Sequence, residues 1–201
     1  MKVIVVTGRK GGSGKTTIAV NMACTLPGPA VLIDGDPQES AAEWMEGRDS
    51  PTVLTATDTG DLERIFDRIP MEEKGLVVVD CPPLDAHYSG AAVRRADLVL
   101  LPVIPSILDL RSAAPVIDAL LEIGRPFLVV LNRTKPRVTA TDKARSALEG
   151  MGAKVAKTEL GDRVAHVEAA VFHQSIVEHS KRSKAAVEIK ALAREVSALM
   201  K

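Results

Sequence analysis

The chain has 201 residues, 46% of them hydrophobic and 26% charged, with basic and acidic side chains in equal number. That is enough apolar material for one substantial core, which excludes disorder throughout. No apolar run reaches the roughly 18 residues of a membrane span, and the amino terminus reads as a strand and not as a secretion leader, so a cytoplasmic protein is expected. Cys24 and Cys81 sit in unrelated apolar contexts without metal-ligand spacing, so they read as buried thiols.

Lys2 to Thr7 is predicted as a strand, valine-rich and apolar almost throughout, as in a parallel sheet covered on both faces. Arg9-Lys10-Gly11-Gly12-Ser13-Gly14-Lys15-Thr16-Thr17 follows, then a helix over Thr17 to Leu26 that Pro27-Gly28-Pro29 ends. Strand, glycine-rich turn and helix is the context of a phosphate loop. Small residues let backbone N–H groups close around phosphate oxygens, and the helix start points further donors at the same charge. Gly11, Gly12, Ser13, Gly14 and Thr17 are thus expected to cradle a nucleoside triphosphate, with Lys15 on its β- and γ-phosphates and the Thr16 hydroxyl on Mg2+.

Ala30 to Ile33 is a second short strand, with Asp34-Gly35-Asp36-Pro37-Gln38 at its carboxyl end, where open α/β sheets bind ligands. Ser40 to Glu46 is expected to be helical, with Trp44 in a packing role; Val53 to Ala56 is a strand and Asp61 to Ile69 a helix. Gly75 to Asp80 is a strong buried-strand signal ending in an acid, and Cys81-Pro82-Pro83 must leave the sheet because proline supplies no ladder donor. A helix over Tyr88 to Arg95 and a strand over Leu98 to Leu101, closed by Pro102 and Pro105, come next. Ser106 to Ile123 fits a long helix with a local kink at Pro115, and Phe127 to Leu131 another strand.

Beyond the exit loop Asn132 to Arg137, the pattern predicts a helix over Thr141 to Met151 capped by Thr139 or Thr141, and a short strand over Ala153 to Ala156. A short helix over Val164 to Val171 and a long one over Ser183 to Met200 complete the chain. The repeated strand–helix order argues for an α/β fold, a three-layer α/β/α sandwich around a mostly parallel sheet, in a single domain over residues 1–201.

The neutral total hides a split. Residues 1–131 hold 12 Lys and Arg against 18 Asp and Glu, and residues 132–201 hold 14 against 8. A basic face built from Arg133, Lys135, Arg137, Arg163, Lys181, Arg182 and Lys184 would suit DNA phosphates without reading bases. The alternative for Lys181-Arg182-Ser183-Lys184 is a solvated helix start.

Lys10-Gly11-Gly12-Ser13-Gly14-Lys15-Thr16, with Arg where an ordinary loop has its first glycine, resembles the deviant Walker A loop of the ParA/MinD family of dimerising ATPases. Val77-Val78-Val79-Asp80-Cys81-Pro82-Pro83 resembles that family's second switch and Asp34-Gly35-Asp36-Pro37-Gln38 its first. The resemblance covers nearly the whole chain and is strongest to short ParA-type partition proteins. It implies a P-loop NTPase, a Mg2+-dependent ATPase whose ATP-bound form is a homodimer, with Lys10 reaching the phosphates of the partner subunit. Asp80 would then hold Mg2+, Asp34 would support the ion and its waters, and Asp36 would orient the attacking water, although from sequence alone Asp34 and Asp36 can exchange roles. Asn132 would contact the purine, and Leu160-Gly161-Asp162-Arg163 would lie near the base pocket and dimer surface.

The leading expectation is a nucleoid-associated partition ATPase that binds nonspecific double-stranded DNA and answers to a centromere-binding partner. The alternative is positioning of a protein organelle or other cargo through an adaptor. A metabolic or metal-handling P-loop enzyme ranks last. The carboxyl-terminal helix lacks the bulky apolar face and positive bias of a membrane-docking segment, so no membrane partner is expected.

Overall fold

The computed structural model describes residues 1–70, 74–136 and 138–201, so Arg137 lies outside the described residues. Six strands form one sheet: β1 (Lys2–Val6), β2 (Ala30–Asp34), β3 (Thr52–Thr55), β4 (Leu76–Asp80), β5 (Leu98–Val103) and β6 (Phe127–Leu131). Their order is β3-β2-β4-β1-β5-β6, and every paired neighbour is parallel. The helices are α1 (Lys15–Thr25), α2 (Ser40–Trp44), α3 (Thr59–Arg68), α4 (Ala86–Arg95), α5 (Ile107–Ile123), α6 (Thr139–Gly150), α7 (Ala165–Val171), α8 (Ile176–His179) and α9 (Lys184–Leu199).

The period of two in each strand sorts side chains onto two covered faces. Ile4, Val6, Leu32, Val78, Leu100 and Val130 pack against α1, α2, α8 and α9. Val3, Val5, Ile33, Val77, Val79 and Val99 pack under α3 and α4, and Leu101, Val103, Val129 and Leu131 under α5 and α6. This is the expected three-layer sandwich. Burying a valine stabilises by about 1.5–3 kcal/mol, so the β4 run Val77, Val78 and Val79, all at zero exposure, offsets the burial of the acid that ends it.

Several boundaries differ from the sequence reading. β5 runs through Pro102 to Val103. The β1 ladder has ended by Leu100, so the missing proline N–H falls where β5 is bonded on the β6 side alone. Ala153 to Ala156 is not a strand: Val155 makes only an isolated bridge to Val129. Neither Thr139 nor Thr141 caps α6, since the helix follows Val138 without a side-chain cap and Thr141 is buried inside it. The short α8 was not foreseen; Ser175 and Glu178 form its capping box.

Candidate functional site

The parallel order brings the carboxyl ends of β1, β2 and β4 together, and each delivers one piece of the site. From β1 comes the loop that opens α1. Gly14 holds φ 97°, and a Cβ there would stand 2.1 Å from Asn132 Nδ2, so only glycine suits both the turn and the close approach. Lys15 is 6% exposed and Lys15 Nζ donates to the Lys10 carbonyl at 3.3 Å, which curls the loop around its ammonium. Burial holds the Lys15 pKa below its usual value, against the pull of the Asp80 and Asp36 charges.

From β4 comes Asp80, 1% exposed. Thr16 Oγ1 donates to Asp80 Oδ2 at 2.6 Å. Burial pushes the Asp80 pKa up to about 7; the Thr16 hydrogen bond opposes this, the Asp34 charge adds to it and the Lys15 charge opposes it. The other oxygen, Asp80 Oδ1, is buried without a partner among the described residues, and so is Ser13 Oγ. Buried acceptors are rarely left unpaired. A hard cation bound to phosphate oxygens between Thr16 and Asp80 would satisfy Oδ1, so the residues present fit Mg2+. Among the described residues no group of three or more His, Cys, Asp and Glu is disposed to hold a metal by itself.

From β2 come Asp34 and Asp36, whose surroundings differ. Asp34 is fully buried and accepts from the backbone N–H of Asp36 at 3.0 Å, Ala41 at 2.8 Å and Ala42 at 2.9 Å. Its burial raises its pKa, and the same three hydrogen bonds pull it back. Both oxygens are therefore engaged by the loop and the start of α2, which leaves any support of a metal to intervening water. Asp36 is half-buried, accepts one bond from Gln38 N at 3.0 Å and lines the mouth above the phosphate loop. Gly35 is required between them, because a Cβ there would come within 2.5 Å of the Tyr88 ring.

The mouth is a cavity of about 670 Å³ bounded by Gly11, Gly12, Lys15, Thr16, Thr17 and Asp36, and on its far side by Trp44, Pro83, Arg133 and His173. An adjoining cavity of about 260 Å³ shares Gly14, Thr17, Trp44 and Arg133 and continues past Asn132 to Gly161, Arg163 and His166. Asn132 faces this second space but also braces the loop: Asn132 Nδ2 donates to the Ser13 carbonyl at 2.7 Å, and Asn132 Oδ1 accepts from Arg133 N at 2.9 Å. Trp44 does more than pack. Trp44 Nε1 donates to the Gln174 carbonyl at 2.9 Å, which fixes the ring where the two cavities meet.

Lys10 stands apart from Lys15. Lys10 Nζ lies 2.6 Å from Asp109 Oδ2, on an acid only 4% exposed that also receives the Ser106 hydroxyl. Asp109 escaped the sequence reading because it looks like an ordinary first-turn acid of α5; nothing in its neighbourhood marks it as the seat of Lys10. The basic residues come from three stretches of the chain, and Lys135 and Arg163 line one cavity with Glu188 of α9. Arg133 and Arg163 line the cavities at the nucleotide end, and Arg163 is paired with Glu188 at 2.6 Å. Lys135 is exposed nearby on the Asn132 loop, whereas Lys181, Arg182 and Lys184 are exposed around the turn from α8 into α9.

Residues 4–176 match the model of the CobQ/CobB/MinD/ParA nucleotide binding domain. A relative from Halothiobacillus neapolitanus named Maintenance of carboxysome distribution protein A is 32% identical over 96% of this chain and 95% of its own. A protein of the same name from Gloeobacter kilaueensis is 33% identical over 98% of this chain and 92% of its own. Among solved structures, a MinC:MinD cell division protein complex from Aquifex aeolicus superposes with a TM-score of 0.82 at 22% identity, covering 98% of this chain and 96% of the other, a likeness of fold. The chain belongs to the CobQ/CobB/MinD/ParA nucleotide-binding family.

Proposed function

We propose that this family member is an ATPase that positions intracellular cargo. Residues 1–201 act as one domain that binds ATP with Mg2+, pairs into a homodimer while the triphosphate is intact, and holds nonspecific double-stranded DNA in that state. The observation that carries the reading is the buried Thr16–Asp80 pair with its orphaned Oδ1, set at the foot of the phosphate loop. Thr16 and Asp80 would hold Mg2+, which when bound would supply charge neutralisation at the phosphates. Gly11 to Thr17 orient the triphosphate, Lys15 meets its charge, and Asp36 accepts a hydrogen bond from the attacking water. Lys10 leaves Asp109 and crosses to the partner's phosphates.

An apolar stripe supports the pairing. Val164, Val167, Val171 and Phe172 are 63–73% exposed along α7 and its flanks, and Val167 and Val171 line the two cavities. Such a row at the rim of a charged mouth suits a second subunit better than water. Lys181, Arg182 and Lys184 remain the favoured DNA contacts, because Arg133 and Arg163 stand at the nucleotide end.

The sequence alone put plasmid or chromosomal DNA first as cargo. The two relatives named for carboxysome distribution support the reverse order, with a protein organelle or comparable assembly, reached through a small adaptor protein, ahead of partition through a centromere-binding partner. Among the described residues no helix is long and apolar enough to cross a membrane.

The test measures duplex-DNA binding and oligomeric mass without nucleotide, with ADP, with ATP and with a nonhydrolysable ATP analogue. The expected result is a dimer and DNA affinity with ATP and the analogue alone. A chain that stays at its 21.4 kDa monomer mass with the analogue, and ignores DNA, would overturn the positioning role while leaving nucleotide binding intact.

A further inference from the structure

The helices α4 and α5 share a face of the sheet but leave a groove between them, a cavity of about 380 Å³ whose floor is Thr7 and Gly8 at the end of β1. Its walls are Val93 on α4 and Val116, Leu120 and Ile123 on α5, and it stays open because Gly90 and Ala119 offer no bulk. A volume of this size, mostly apolar with few polar groups, lies in the range of about 300–1,000 Å³ that organic ligands occupy. It lies across β1 from the nucleotide mouth and shares none of its lining residues.

The groove carries an unanswered positive charge. Arg9 lines its mouth, and its guanidinium makes no hydrogen bond or ion pair among the described residues. The Arg94 guanidinium lies over Gly90, Nη1 3.7 Å from where a Cβ would stand, and it too is unpaired among the described residues. The next residue shows the contrast, since Arg95 is held by Glu63 and, at 3.9 Å, by Asp67. The one acid in the lining, Asp85, is already used as the cap of α4, accepting from Tyr88 N at 2.8 Å. An apolar trough with Arg9 at its mouth and the Arg94 guanidinium beside Gly90, two cations against the single Asp85 carboxylate, favours an occupant with an apolar body and an anionic head.

The groove also touches the nucleotide machinery from behind. Thr7 Oγ1 donates to Ser89 Oγ at 3.1 Å, which ties the end of β1 to α4. Cys81-Pro82-Pro83-Leu84 joins Asp80 directly to the cap of that helix, and Leu84 sits at the groove mouth, 74% exposed with a left-handed φ of 62°. The segment Cys81 to Leu84 thus links Asp80 to the wall of the groove.

We infer that this groove is a ligand site for an amphipathic organic anion, an acyl or aryl carboxylate or sulfonate whose body lies between α4 and α5 and whose charge meets Arg9 and Arg94, and that its occupancy alters nucleotide turnover at Asp80. The second half rests on the proposed ATPase; the binding half does not.

The experiment titrates 8-anilinonaphthalene-1-sulfonate into nucleotide-free protein, follows its fluorescence, and competes it with octanoate. The expected result is one saturable site that octanoate empties. Arg9→Ala with Arg94→Ala weakens it about tenfold. Ala119→Phe, which fills the groove, removes it. Val167→Ser, on the separate apolar stripe of α7, leaves it unchanged. A signal that survives Ala119→Phe, or that falls with Val167→Ser, overturns the site. If Ala119→Phe does not fold, the exposed arginine pair decides, and unchanged affinity there overturns the anion. In the second arm octanoate changes the ATP hydrolysis rate of the native chain and not of Ala119→Phe. Octanoate binding without a change in rate overturns the coupling. Absence of any hydrolysis overturns the ATPase reading and leaves the binding result standing.

Discussion

Thr16 and Asp80 meet at 2.6 Å inside one chain, with Asp80 sunk in the core, whereas Lys10, Gly11 and Gly12 face solvent a few residues away. The cation half of the site is thus fixed by the monomer's own packing: β4 cannot bury its valines without carrying Asp80 inward. The other half has no such constraint. Lys10 takes the nearest acid, Asp109, through a side chain that is still 42% exposed, so that contact is screened and weak. A half that one chain completes and a half that it leaves open suits the nucleotide-gated pairing proposed above.

The sharpest test of the built half is Lys15→Ala. We expect ATP affinity to fall about 100-fold, the scale of removing one partner of a buried charge-assisted contact. The nucleotide-free Tm should hold or rise, because a buried ammonium whose pKa burial already lowers is a desolvation burden until phosphate arrives. Calorimetric titration and a melting curve read both; a joint fall of affinity and Tm makes the lysine structural. For the open half, Asp36→Ala should slow hydrolysis about 100-fold, in the range of a positioned base, with ATP affinity little changed. Normal turnover in that variant returns the water-orienting role to Asp34, whose oxygens the loop backbone already occupies.

This division also explains what could be read before any coordinates. Strand ends and the phosphate loop were legible because they depend on local signals: the valine run into Asp80, the glycines, the proline pair after Cys81. Resemblance favoured Asp36 as the water-orienting acid, but the residues alone left its role exchangeable with that of Asp34, since a carboxylate's role depends on which backbone donors reach it, and Ala41 and Ala42 arrive from the next helix. Asp109, Trp44 and His166 were hidden for a similar reason. Each meets the site only through tertiary packing, across separations of 99 residues for Lys10 with Asp109 and 130 for Trp44 with Gln174. The basic residues illustrate the same limit: composition supplied the charge, but only packing reveals that Glu188 pairs with Arg163.

Smaller effects probe the closing surface. Val167→Asp puts a charge on the α7 stripe and should weaken the proposed ATP-dependent dimer about tenfold by sedimentation. The monomer should melt as before, because Val167 is 67% exposed. Equal dimer affinity would remove α7 from the interface. Asp109→Asn keeps the shape of the Lys10 seat and removes its charge, so Lys10 is released. A dimer about twofold to threefold tighter in the presence of ATP analogue is expected, the modest scale of a half-exposed ion pair; a weaker dimer would mean that Asp109 helps to aim Lys10 and does not hold it back.

The smallest effect concerns His166, which lines the cavity next to Asn132 with its Nδ1 buried and unpartnered among the described residues. Burial lowers its pKa, the Glu188 charge opposes that shift and the Arg163 charge adds to it. The folded chain therefore takes up this proton later than the unfolded chain, whose histidine titrates near about 6.5. The stability that neutral His166 allows is present above that point and is lost as pH falls toward the folded value. The Tm of the native chain relative to that of His166→Asn, which cannot titrate, should drop between about pH 7.5 and pH 5.5. The native-minus-variant difference isolates this residue, because the buried Asp34 and Asp80 carboxyls, whose raised pKa values act in the opposite sense, are common to both chains. A slope identical in the two would show that His166 keeps its proton balance on folding and that the Glu188 charge cancels its burial.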